Sequence, residues 1–213
     1  CIAIAWWSAH IAWMTAAETT LPIIALPVES TAMWTIDALF SMINMPPWIP
    51  NWVAINGEIA TKMWKNIYDL DLPNNYNKIS INIPIEYKDF IDDKLLENLW
   101  IKIDESWKSP VWILFQDLDS NWSVEFDNTK VPIIIPITKK QINLIENDND
   151  KETLENIRKI RKLKLEWLYM WINLKKWVRF KNAILYAAQI LWIFNPIIRK
   201  NLEDYSHELT NEV

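Results

Sequence analysis

The first apolar run of the chain, Ile2-Ala3-Ile4-Ala5, has the unbroken hydrophobic character of a buried parallel strand. It stops abruptly at Trp6-Trp7-Ser8-Ala9-His10, and apolar residues then return at helical spacing through Ile11, Ala12, Trp13 and Met14. A strand that passes straight into a helix asks for an open parallel sheet with that helix packed on it. The N–H groups at the start of the helix then converge beside the carboxyl end of the strand, where such sheets bind ligands. Junctions of this kind favour glycine, because the backbone takes positive φ and comes close to a ligand. Trp6 and Trp7 are among the residues least suited to the place.

The same mismatch runs through the composition. The chain has 15 tryptophans and 1 glycine in 213 residues, against an ordinary glycine share of about 7%. Exchanging every tryptophan for glycine restores that share. Several tryptophans also sit in glycine-like surroundings: Trp48 within Pro46-Pro47-Trp48-Ile49-Pro50, Trp122 after Asp119-Ser120-Asn121, and Trp192 at a helix end before Asn195-Pro196. The pattern fits a gene in which the codon UGA means glycine, translated with a code that reads it as tryptophan. An unusually tryptophan-rich core is the alternative.

The net charge of −5 and an isoelectric point near 5.2 argue against a broad nucleic-acid surface. Cys1 is the one cysteine, so no internal disulfide forms, and His10 and His207 are the only histidines, too few for a metal-ligand cluster. No metal is expected. A cytoplasmic setting is expected, with no membrane partner, since no basic leader is visible and no apolar run approaches the roughly 18 residues of a membrane span. A start on Cys1 in mid-strand suggests a reading frame incomplete at its N-terminus.

In order along the chain, residues 11–19 read as a helix, 22–28 as a second buried strand, 35–43 as an amphipathic helix, and 53–56 as a third strand before Gly57. Composition then shifts towards Asn, Asp, Lys and Ile. Strands are expected at 78–85, 111–115, 123–126 and 131–137, with helices at 91–99 and 151–165. The basic run 158–164 reads as a solvated helix face. A strand-like run follows at 168–173, then a strong helix at 182–191 and a last one from Asn195-Pro196 to about residue 209, on which His207 is solvated. This gives three segments: an α/β core at 1–57, a small α+β insertion of unknown role at 58–167, and a C-terminal strand and helices at 168–213.

With glycine at the tryptophans, residues 2–14 read Ile-Ala-Ile-Ala-Gly-Gly-Ser-Ala-His-Ile-Ala-Gly-Met. This resembles the Ala-Gly-Gly-Ala-Ala-His-Leu-Pro-Gly-Met stretch of the carboxyaminoimidazole ribonucleotide mutases of purine biosynthesis, the PurE family, class I. Four more segments are similar and in the family's order. Leu21-Pro22 to Ser30 matches a Pro-Val-x-Ser strand and loop, and Ile36-Asp37-Ala38-Leu39 matches an Asp-(Ser/Ala)-Leu helix. Met45-Pro46-Pro47-Trp48-Ile49-Pro50 matches a Met-Pro-x-Gly-Ile/Val-Pro loop, and Asn182-Ala183-Ile184-Leu185-Tyr186-Ala187-Ala188-Gln189-Ile190-Leu191 matches the terminal Asn-Ala-x-Leu-x-Ala-Gln-Ile-Leu helix.

The resemblance implies a three-layer αβα, flavodoxin-like parallel sheet, and a homo-octamer with active sites at subunit junctions. It also implies a small-molecule ribonucleotide substrate and no cofactor. The implied reaction moves a carboxylate from the exocyclic nitrogen of aminoimidazole ribonucleotide to a ring carbon, through bound CO2, with a histidine handling the ring proton. That chemistry needs a sealed pocket and one acid/base group working near neutrality. The implied substrate-binding residues are Ala5, Trp6, Trp7, Ser8, Ala9, His10, Ile11, Ser30, Met45 and Pro46, with His10 in a supporting catalytic role. The residues alone leave His10 open between a structural and a site role, Ser30 between a ligand hydroxyl and a loop cap, and the 45–50 loop between a pocket wall and a helix stop. The family's Ser/Asp phosphate loop and its Ser-x-His-Arg motif, which carries the main acid/base histidine, have no counterpart in the 213 residues, so the chain as given is expected to be inactive. A non-catalytic flavodoxin-like binding or protein-interaction module is the alternative.

Overall fold

A computed structural model describes residues 1–5, 10–28, 38, 42, 48–54, 56–83, 88, 91–117, 129–137 and 176–211. The first sheet contains β1 (Ile2–Ala5), β2 (Ile24–Pro27) and β3 (Trp52–Val53), in that order and all parallel. Ala3 stands opposite Ala25, and Ala25 opposite Val53. Helix α1 (Ile11–Glu18) crosses from β1 to β2 and buries Ala12 and Ala16. These two small side chains let the helix lie close to the sheet.

Helix α2 (Gly57–Tyr68) follows β3. Its start is fixed by Asn56, whose side-chain oxygen accepts the Ile59 N–H at 2.8 Å. Ile59, Ala60, Met63 and Ile67 form its buried stripe, the spacing that puts apolar side chains on one face. Glu58 in the first turn and Lys65 in the last suit the helix dipole. The helix packs on β2 and also reaches β7, where the Asn66 side chain donates to the Lys130 carbonyl at 3.2 Å.

The second sheet has the order β5-β4-β6-β7, again parallel: β4 (Lys78–Asn82), β5 (Lys102–Ile103), β6 (Val111–Asp117) and β7 (Val131–Ile137). Parallel pairing requires a crossover between neighbouring strands, and short helix α3 (Asp93–Asn98) supplies one between β4 and β5. The segment expected to be α+β therefore pairs its described strands as an α/β unit. Its strands are also more buried than the alternating sequence suggested: Ile79, Ser80 and Ile81 are all inside, as in a strand covered on both faces.

Helix α4 (Lys176–Trp192) begins six residues before the expected start and packs on β6 and β7. The extra turn is held by Phe180, which stacks on Phe115 with ring centroids 4.6 Å apart. Helix α5 (Pro196–Asn211) returns against α4. Asn195 caps it, accepting the N–H groups of Ile197 and Ile198, with Pro196 in the first helical position. One hydrophobic core runs from Ile24 and Trp52 through Ile59, Met63, Ile79, Ile113 and Ile133 to Ile184, Leu191 and Ile198. It is shared by all three segments that the composition separates. The expected elements at 35–43, 123–126, 151–165 and 168–173 lie largely or wholly outside the described residues; Ala38 and Met42 of the first are helical and buried.

Candidate functional site

Because β1 and β2 are parallel, Ala5 and Pro27 lie side by side at the carboxyl edge of the sheet. The Val28 N–H extends the ladder onto the Ala5 carbonyl at 2.9 Å. Residues 6–9 lie outside the described part, and the chain re-enters at His10, the residue before the first turn of α1. His10 has helical backbone angles and its carbonyl accepts the Met14 N–H at 2.9 Å, so the helix begins on this residue. Its side chain makes no capping bond; the ring is exposed and meets Trp13 edge-on at 5.7 Å. Ile11 beside it is exposed as well. The structure thus brings Ala5, His10 and Ile11 to one edge, the edge where strand carboxyl ends and helix N–H groups meet. Trp6, Trp7, Ser8, Ala9, Ser30, Met45 and Pro46 are outside the described residues.

The described remainder of the proline-rich loop goes elsewhere. Trp48, Ile49 and Pro50 lead into β3 at the amino edge of the sheet, beside the end of α1 rather than its start. There they border a cavity of about 350 Å³ between α1, α4 and α5, lined also by Ala16, Leu185 and Gln189. Gln189 is 4% exposed, and its side-chain oxygen has no hydrogen-bond partner among the described residues. Thr20 at the same rim accepts the Trp192 indole N–H at 2.6 Å. The cavity is mostly apolar with a few polar groups, a lining suited to binding rather than to proton transfer. Sequence reasoning missed it, because it forms only when the last two helices close over α1. Among the described residues no group of three or more metal-ligating side chains comes together, and no helix is long and apolar enough to cross a membrane. His207 is exposed on α5.

Among the described strands β1 is at the end of its sheet, and its flank is apolar. Ile4 is 56% exposed, Met14 on α1 is 58% exposed, and Ile2 and Ile11 also face outward. Parallel strands are normally covered on both faces.

Comparison with known proteins finds similarity to one family in the first third of the chain. The model of the AIR carboxylase family matches residues 1–70, through the end of α2 and past the boundary expected at residue 57. The N5-carboxyaminoimidazole ribonucleotide mutase of Bacillus subtilis is 49% identical over 43 residues, which are 20% of this chain and 26% of that protein. The mutase of the same name from Thermotoga maritima is 34% identical over 92 residues, 42% of this chain and 51% of that protein. The phosphoribosylaminoimidazole carboxylase of Candida albicans is 32% identical over 105 residues, 41% of this chain and 18% of that protein. The chain therefore spans from under a fifth to about half of the length of these relatives. No solved structure matches the chain. Parallel sheets flanked by helices and the match in sequence agree: over residues 1–70 the chain is similar to the AIR carboxylase family.

Proposed function

We propose that this chain contributes part of the active site of a mutase acting on carboxylated aminoimidazole ribonucleotide in purine biosynthesis. The observation that carries the reading is the β1-to-α1 junction. The family match covers it, and it sets His10 at the first turn of a helix beside the carboxyl edge of a parallel sheet. In this reading the bond between carboxylate and exocyclic nitrogen breaks to release CO2 while the nitrogen takes up a proton to become the free amine, a proton balanced by the one later lost from the ring carbon. The ring carbon then attacks CO2, and the ring proton leaves to a base. Residues 5–11 hold the substrate, and His10 contacts its carboxylate. A histidine outside these 213 residues serves as the principal acid/base, since only His10 and His207 are present here.

The exposed apolar flank of β1 and α1 supports a site completed by further polypeptide, from the same gene or from neighbouring subunits of a cytoplasmic homo-oligomer, an octamer as in the family. The 58–167 segment shares the core of the first sheet, which supports a role in the body of the protein rather than in a separate module.

The test is an assay of the complete gene product with N5-carboxyaminoimidazole ribonucleotide, read by formation of the ring-carboxylated nucleotide without ATP. Conversion is expected, and His10→Asn should lower kcat at least tenfold. A folded product that binds the nucleotide without converting it would instead be a non-catalytic module. Kinetics unchanged in His10→Asn would remove His10 from the site.

A further inference from the structure

Among the described residues two non-glycine positions have left-handed backbone, and both are tryptophan: Trp100 and Trp107, each at φ 59°. L-residues with a bulky side chain avoid this region because Cβ crowds the following carbonyl. Trp100 stands just past the C-cap of α3. Its N–H donates to the Glu97 carbonyl at 2.9 Å, and the next N–H, of Ile101, donates to Leu96 at 2.8 Å. That pair of bonds is the helix-ending motif whose left-handed residue is usually glycine. Trp107 closes a tight turn on the Asp104 carbonyl at 3.4 Å, while the Asp104 carboxylate takes the N–H groups of Lys108 and Ser109 at 2.8 and 2.7 Å. The backbone is thus tied on both sides of each tryptophan.

Neither indole belongs to the buried core. Trp100 is 37% exposed and Trp107 is 44% exposed, the latter meeting the Trp112 ring with centroids 5.1 Å apart. The chain's one glycine shows the reverse. Gly57 has no left-handed φ, and a Cβ added there would meet only the Leu26 Cδ2 atom at an ordinary 3.9 Å. Glycine occupies a position any residue could fill, and tryptophan occupies two that suit glycine. With 15 tryptophans to 1 glycine in the chain, we infer that positions 100 and 107 are glycine in the protein as its own cell makes it, their shared codon being decoded as glycine there. The same decoding at positions 6 and 7 would place two glycines at the β1-to-α1 junction.

Trypsin isolates the two positions on short peptides, residues 95–102 and 103–108, bounded by Lys94, Lys102 and Lys108. Tandem mass spectrometry of the protein from its native cells should find glycine in both. Tryptophan in either peptide overturns the inference. A second measurement tests its conformational ground in the recombinant chain. W100G and W107G should each raise the thermal midpoint by about 2–8 °C. W64G, which removes an equally exposed indole from the interior of α2, should lower it. A midpoint lowered in W100G or W107G would count against the proposal.

Discussion

Trp52 of β3 and Tyr186 of α4 meet edge to face, with ring centroids 5.1 Å apart and planes at 69°. Both side chains are fully buried, and neither the Trp52 indole N–H nor the Tyr186 hydroxyl has a hydrogen-bond partner among the described residues. The contact is therefore favourable through its rings and unfavourable through its polar atoms, since a buried polar group without a partner costs about 1–3 kcal/mol. Burial also pushes the Tyr186 hydroxyl well above the ordinary tyrosine range, so it stays neutral. Tyr186→Phe keeps the ring and removes the orphan oxygen. It should raise stability by about 1 kcal/mol, a gain of roughly 2–4 °C in a thermal melt; a clear loss would reveal a partner for the hydroxyl.

Acid should weaken the turn between β5 and β6. The Ser106 hydroxyl at 2.6 Å, followed by the backbone N–H groups of Ser109, Ser106 and Lys108, holds the Asp104 carboxyl below its usual range. A lowered folded value means that this contribution is present above about pH 4 and is lost as the pH falls through the folded value. Asp104→Asn should therefore lower the melting midpoint at neutral pH and flatten its decline below about pH 4. An acid limb as steep as that of the parent would assign the effect to other carboxylates.

Asn195 acts in two places. Its oxygen caps α5, and its amide nitrogen donates to the Tyr76 carbonyl at 3.0 Å, tying the helix start to the segment before β4. Asn195→Ala loses both and should cost about 2 kcal/mol, or roughly 4–8 °C. Asn195→Asp keeps the capping oxygen and should fall between the two. Equal losses in both variants would mean that the Tyr76 contact dominates.

Phe180 and Phe115 stack at an interplanar angle of 23°, joining the first turns of α4 to β6. Phe180→Ala leaves a cavity there, with an expected loss of about 3–5 kcal/mol in denaturant unfolding. A loss under about 1 kcal/mol would show that the start of α4 contributes little to the core.

Much of this fold is legible in the sequence because its elements bury continuous or periodic apolar runs. Ile24 to Pro27, Val131 to Ile135 and the run from Ala183 to Leu191 in α4 declare themselves in this way. β5 does not. Lys102 and Ile103 are exposed, and the strand exists through backbone bonds alone, from the Lys102 N–H to Asn77 and from the Asp104 N–H to Ile79. Nor could alternation in 78–85 foretell a strand buried on both sides, because the hydroxyl of Ser80 is accommodated inside by the Asp104 carbonyl at 3.5 Å. Of the candidate site, the junction at His10 was readable from the abrupt change of period. The cavity beside Gln189 was not, because its walls lie far apart in sequence.

From Asn182 to Leu191 every residue of α4 is buried, in a helix that touches both described sheets through Trp52 and Phe115. Such a helix is a keystone supplied late. At roughly 5–20 residues per second, β1 emerges from the ribosome on the order of 10–35 s before α4 does. Until α4 arrives, the inner faces of β3, β6 and β7 have no lid as each strand emerges in turn. Nascent chains should then depend on chaperone shelter, and a ribosome stalled before residue 176 should carry a sticky, protease-sensitive intermediate.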